Sequence, residues 1–130
     1  TLPGPTGPVL RGAGGGDGGL FAGILARYLA QAVLLLPDCP ARTTAAGLVL
    51  RTAEGLWHHA IPVAGGALFG PDPTRAAETP SKRGSSPERD LSTQTGAWMS
   101  IEAAALLQAT GDIAAASGAS GLPIDPYAAA

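Results

Sequence analysis

Residues 14–36 constrain this chain most. Gly14-Gly15-Gly16-Asp17-Gly18-Gly19 runs directly into Leu20, Phe21, Ile24, Leu25, Tyr28, Leu29, Ala32, Val33 and Leu36. These apolar positions recur with the 3.6-residue period of an amphipathic helix about four turns long, about 19–36. Pro37 stops it, because the residue before a proline is pushed out of the helical region. Asp17 stands where an N-cap carboxylate accepts from the free N–H groups of the first turn. Those N–H groups make the same end attractive to anions and hydroxyls.

Two further helices are expected. The second, about 41–60, carries Ala45, Leu48, Val49, Leu56 and Trp57 on one side, with Arg42, Arg51 and Glu54 elsewhere. Pro37-Asp38-Cys39-Pro40 is a tight connection, which makes the first two helices antiparallel neighbours. The third, about 91–110, carries Gln94, Trp98, Ile101, Ala105 and Leu106 on one face, with Asp90 or Ser92 to cap it. Residues 61–89 have no sustained period, and a loop of that length is usually either functional or disordered. Within it, Ala67-Leu68-Phe69-Gly70-Pro71-Asp72 has apolar anchors and is expected to be ordered, whereas Ala76 to Ser86 is expected to be mobile. Residues 1–16 and 117–130, rich in glycine and proline, are expected to be irregular. The fold class is all-α, about three helices with a long loop between the second and third.

A chain of 130 residues allows one domain with a modest core, or one piece of a larger domain. The 45% hydrophobic fraction leans on alanine, and aromatics are only 5%. Alanine-rich helices pack closely but bury little area each, so this helical unit needs packing partners beyond its own residues. Net charge is −2, and the one dense basic cluster, Lys82-Arg83, shares its loop with Glu78, Glu88 and Asp90; no nucleic-acid surface is expected. Cys39 is the sole cysteine, which excludes an internal disulfide. No uninterrupted apolar run reaches transmembrane length, so no membrane span is expected. The chain starts at Thr1 and shows no signal peptide.

Several local patterns invite chemistry. The glycine run before a helix suggests a phosphate cradle of backbone N–H groups. Against it, no Gly-Lys-Ser/Thr ending follows, no strand precedes, and Asp17 puts negative charge where phosphate would sit; a turn with a cap is the plainer reading. His58-His59 cannot share one metal, because adjacent helical side chains diverge by about 100°; a helix C-terminus suits histidine anyway. No metal site and no cofactor are expected. Asp17, Asp72 and Asp90 fall near helix starts or in loops and can converge for acid–base work, or serve as caps and a turn. Phe69 and Trp98 are candidate sugar-stacking platforms or core residues. Gln94, one turn before Trp98 at the open end of an apolar stripe, suits hydrogen bonding to a hydroxylated ligand or to a neighbouring loop.

Taken in order, these pieces resemble glycoside hydrolase family 76, the endo-α-1,6-mannanase-like enzymes. The residues that carry the resemblance are Gly15-Gly16-Asp17-Gly18-Gly19-Leu20-Phe21, Gly23-Ile24-Leu25-Ala26-Arg27-Tyr28-Leu29, Ala53-Glu54 with Trp57, Leu68-Phe69-Gly70-Pro71-Asp72, and Pro87-Glu88-Arg89-Asp90-Leu91-Ser92 with Gln94, Gly96 and Trp98-Met99. The resemblance spans about residues 9–110 and implies the C-terminal part of an (α/α) toroid, with the first and third helices in the inner ring and the second in the outer. It implies retaining hydrolysis of α-1,6-mannosides by a tandem aspartate pair, with carboxyl groups about 5–5.5 Å apart. This chain contains no Asp-Asp dipeptide, and Ala22 stands where the family often has lysine. No catalytic residue is therefore assigned here. The positions expected to bind substrate are Asp17, Gly18, Phe21, Phe69, Asp90, Gln94 and Trp98. The partners implied are an α-mannan-like polysaccharide or oligosaccharide and the remainder of the domain, with the parent protein extracellular or at the cell surface. The alternative is a non-catalytic helical module for glycan binding or structural interaction.

Overall fold

A computed structural model describes residues 7–12, 14–80, 84 and 86–110. It contains three long helices, α1 (Gly18–Leu35), α2 (Pro40–His58) and α3 (Leu91–Gln108), each within two residues of its expected bounds. The expectations for 111–130, the irregular tail included, lie outside the described residues.

The segment between α2 and α3 departs from the all-helical expectation. Ile61–Val63 (β1) and Gly66–Leu68 (β2) pair as an antiparallel hairpin, with Ile61 opposite Leu68 and Val63 opposite Gly66. Gly65 closes the turn at φ +86°, a conformation that only glycine adopts freely. Three-residue strands are too short to show a period, which is why the sequence reads as loop. One 3-10 turn, Pro87–Arg89, leads into α3. The region expected to be mobile is tied down on both flanks. The N–H of Ala77 donates to the carbonyl of His59 at 3.0 Å, and that of Glu78 to the carboxylate of Glu88 at 3.2 Å. Residues 81–83 and 85, within the same expectation, lie outside the described residues.

The N-terminal lead-in is irregular but anchored. The N–H of Leu10 donates to Thr52 Oγ1 at 2.8 Å, and Arg51 Nε donates to the carbonyl of Pro8 at 2.8 Å, so residues 8–10 lie along α2. Arg42 Nε reaches the carbonyl of Val33 at 3.1 Å and satisfies the C-terminal end of α1.

The core sits on a different side of α1 from the one its large apolar residues suggest. The buried positions are Gly23, Ala26, Ala30 and Val33. Phe21, Ile24, Leu25, Tyr28, Leu34, Leu35 and Leu36 are exposed, Phe21 by 59% and Leu35 by 86%. The cause is backbone proximity. A Cβ added at Gly23 would lie 2.5 Å from the carbonyl oxygen of Gly96 and 2.8 Å from its Cα. A Cβ at Gly19 would lie 2.7 Å from the nitrogen of Thr93. Where α1 meets α3 only small residues fit, and the bulky stripe is left facing outward. The same shift holds in α3, whose buried residues include Ala97, Ile101, Ala104 and Leu107, while Trp98 and Leu106 stand half-exposed. α2 contributes Ala46, Val49, Leu50, Ala53 and Leu56 to this alanine-rich core.

α1 also meets the length and composition of a membrane-crossing helix, at 18 residues and a mean hydropathy of 1.5. A count of uninterrupted apolar residues misses this because Arg27 and Gln31 break the run. A core helix of a larger helical assembly fits the same description.

Candidate functional site

Gly19 approaches Ser92 and Thr93, and four residues later Gly23 approaches Gly96. Contacts that advance together mean that α1 and α3 run in the same direction, with their N-termini at one end. α2 runs back alongside them, packed against both, so its C-terminus, the hairpin and the described residues of the connecting segment share that end. Five of the seven positions expected to bind substrate also lie there: Asp17, Gly18 and Phe21 at the start of α1, and Asp90 and Gln94 at the start of α3. Phe69 lies beside them in the connecting segment, and Trp98 two turns along α3.

Neither aspartate caps its helix. Asp17 is itself helical, with φ −59° and ψ −34°, and its side chain makes no capping bond. Asp90 instead accepts the N–H of Gly16 through Oδ2 at 2.7 Å, joining the approach to α1 to the start of α3. The glycine run therefore offers an N–H to a carboxylate of the protein itself, which disposes of the phosphate-cradle pattern at Gly16. A Cβ at Gly15 would overlap Asp90 Oδ2, so a side chain there would push the carboxylate off Gly16. Asp72 does form the expected turn. Its Oδ1 accepts the N–H of Thr74 at 2.9 Å and the Thr74 hydroxyl at 2.7 Å. Burial pushes the Asp72 carboxyl up, but the Thr74 bonds and the charges of Arg75 and His59 outweigh it and hold it below the ordinary range.

Gln94 is committed within the chain. Its Oε1 accepts the N–H of Phe69 at 3.0 Å, and its Nε2 donates to the carbonyls of Phe69 at 2.8 Å and Glu88 at 3.0 Å. Both amide hydrogens are used, so of the two expected partners, a ligand or a neighbouring loop, the structure shows the loop, and Gln94 clamps Phe69. Phe69 in turn is fully buried and presents no face for stacking, which corrects its assignment as a platform. It is the centre of an aromatic row. Its ring centroid lies 6.2 Å from Trp57 and 5.6 Å, edge-on, from Trp98. The two indoles at the ends are exposed by 39% and 43%. Trp57, in the apolar stripe of α2, lines a groove with residues of the hairpin that follows the helix.

Glu88 is the other residue that sequence reasoning passed over. It is buried, and its carboxylate accepts the Ser86 hydroxyl at 2.8 Å and the N–H of Glu78 at 3.2 Å. Burial pushes this carboxyl up; the two hydrogen bonds pull it further down, and the result lies below the ordinary glutamate value of 4.5. A depressed folded pKa means that Glu88 stabilises the fold fully above about 4.5, and that this contribution fades as pH falls through the lower folded value. The expected outcome is that Glu88→Gln flattens the loss of urea stability between pH 5 and pH 3, measured as the unfolding midpoint against wild type.

His59 Nδ1 lies 2.9 Å from the carbonyl of Gly55, tying the imidazole to the end of α2. The His58 and His59 rings meet edge-on, with centroids 5.0 Å apart. Among the described residues no three His, Cys, Asp or Glu side chains group as metal ligands.

No family model and no curated protein sequence matches the chain. Two solved structures do, both of one enzyme. One is the GH76A α-1,6-mannanase from Salegentibacter sp. HEL1_6, and the other is an inactive variant of it, with two successive aspartates changed to asparagine, in complex with α-1,6-mannotriose. Each aligns with a TM-score of 0.58 and 43% identity over 78% of this chain, but over only 28% of the longer enzyme. The chain therefore belongs to glycoside hydrolase family 76 and forms part of an (α/α) toroid domain, spanning little more than a quarter of the length of the mannanase it matches.

Proposed function

We propose that the chain is part of a retaining endo-α-1,6-mannanase and supplies one wall of its cleft. The observation that carries this reading is the 43% identity to an α-1,6-mannanase, together with the gathering of Asp17, Gly18, Phe21 and Asp90 at one end of the helices. The cleft opens at that end, and α-1,6-linked mannose residues pass over the exposed Phe21 and Trp98. The carboxylate pair that cleaves the bond belongs to the remainder of the domain, since this chain contains no Asp-Asp dipeptide. The solved mannanase supports that assignment, because its doubly substituted aspartate variant is inactive. An enzyme of this kind acts on extracellular polysaccharide, so the parent protein belongs outside the cell or on its surface.

The remainder of the domain also covers the outward stripe of α1. A fully buried Leu, Ile or Phe contributes about 1.5–3 kcal/mol, a gain that Phe21, Leu25 and Leu35 forgo while uncovered. The full-length protein is expected to release reducing ends from linear α-1,6-mannan while keeping the anomeric configuration, followed by NMR of the first products. Binding of α-1,6-mannotriose without turnover would favour the non-catalytic module. Neither binding nor turnover would refute the glycan reading.

A further inference from the structure

A groove of about 560 Å³ runs between the hairpin and the helices, lined by Trp57, Pro62, Gly65, Gly66, Ala67 and Trp98. Its volume falls within the range of about 300–1,000 Å³ typical of small-molecule sites. The chain has only two tryptophans, and both stand here. Buried Phe69 braces them from behind, so the indoles keep their spacing without a ligand. The opposite side is made of residues with little or no side chain, and a Cβ built at Gly65 or Gly66 meets nothing within 4 Å. This chemistry differs from the outward stripe of α1, where Leu, Ile and Phe side chains suit the packing of another helix. Two rigid indoles facing a shelf of Gly, Ala and Pro leave a slot for a flat, rigid group with apolar C–H faces.

Trp98 also forms the wall of a second groove, of about 460 Å³, which is mostly apolar through Ala30, Met99, Ala103 and Leu106 and has Gln31 and Thr95 among its few polar residues. A ligand lying across Trp98 thus meets an aromatic slot on one side and, on the other, an apolar groove edged by the amide of Gln31 and the hydroxyl of Thr95. A pyranose chain has this duality, with C–H faces that stack on rings and hydroxyls that need donors and acceptors.

We propose that Trp57 and Trp98 form an aromatic subsite that holds one pyranose ring of an oligosaccharide, with the next sugar lying across Trp98 towards Thr95 and Gln31. The ring enters beside Gly65 and Gly66, and the hairpin acts as the shelf that sets the slot width. This subsite rests on the glycan-hydrolase reading above and adds Trp57 and the hairpin to it.

The test is steady-state hydrolysis of α-1,6-mannooligosaccharides by the full-length protein carrying Trp57→Ala, Trp57→Phe or Gly66→Leu. Gly66→Leu adds bulk at a residue that lines the slot, where the first added carbon meets nothing within 4 Å. Trp57→Phe keeps a ring against Phe69 with a smaller face, so it remains informative where the alanine variant folds poorly. Trp57→Ala and Gly66→Leu are each expected to lower kcat/KM about tenfold, the fall carried by KM as for a lost binding contact. Trp57→Phe should lower it less. Wild-type turnover with all three variants within twofold of wild type would overturn the subsite and leave the hydrolase reading standing. A wild type that neither turns over nor binds α-1,6-mannotriose would overturn both.

Discussion

Gly23→Val is expected to cost about 3 kcal/mol of stability, the upper end of what overpacking does to a close-packed core. Even the first carbon of the new side chain would lie 2.5 Å from the carbonyl oxygen of Gly96 and 2.8 Å from its Cα. Those atoms belong to backbone, so no rotamer change relieves the overlap, and α1 and α3 have to separate or slide. Separation would open the alanine-rich interface through Ala26, Ala30, Ala97 and Ala104, where each residue buries little and the sum depends on closeness. It would also move the start of α1 away from Asp90, whose carboxylate holds Gly16. The measurement is the urea midpoint of the full-length protein. Gly66→Ala is the control, because its added carbon meets nothing within 4 Å, and it should stay within about 0.5 kcal/mol of wild type. Equal midpoints for the two variants would show that the helices do not meet as closely as described.

Gln94→Leu is the second large effect. The substitution keeps the volume and removes an acceptor and two donors, leaving the N–H and carbonyl of Phe69 and the carbonyl of Glu88 without their partner. Leaving a buried polar group unpaired costs about 1–3 kcal/mol. Partial rehydration of the carbonyls lowers the sum, and the expected loss is about 3 kcal/mol. Because Phe69 braces both tryptophans, kcat/KM should fall alongside stability. Gln94→Glu keeps the acceptor for the Phe69 N–H and loses both donors, so it should be destabilised as well. A role for Gln94 as a direct ligand contact would look different: KM would rise in both variants with the unfolding midpoint unchanged. That result would refute the clamp.

How far the sequence is legible depends on which physical signal each feature leaves. The three helices are readable because their period is long and Pro37, Pro40 and Pro87 punctuate it. Which side of α1 is buried is not readable from the size of its apolar residues. Its large and small residues form two separate stripes, and close backbone approach selects the Gly23, Ala26, Ala30 stripe. The direction of a Gly-Gly approach depends on the partner helix, whose Gly96 lies 73 residues from Gly23. The hairpin leaves no trace in periodicity, although Gly65-Gly66 marks its turn. At the site, Asp90 and Gln94 stand out as polar residues at a helix start, yet their partners, Gly16 and Phe69, are set by tertiary packing. Local reasoning therefore gives Asp90 a cap it does not form and leaves Gln94 open between a ligand and a neighbouring loop. The family resemblance is legible because the order of short motifs survives where each one alone says little, and the 43% identity to the solved mannanase agrees with it.

We propose that these helices are an arc of a ring, and that the outward stripe of α1 belongs against the rest of it. The most direct test is to purify residues 1–130 alone and follow sedimentation, calorimetric unfolding and binding of a hydrophobic dye across a range of concentrations. Phe21, Leu25, Tyr28 and Leu35 left in water should drive self-association and dye binding, with a broad, concentration-dependent transition of low enthalpy. A dye-silent monomer that unfolds in one sharp, concentration-independent step at high temperature would contradict it.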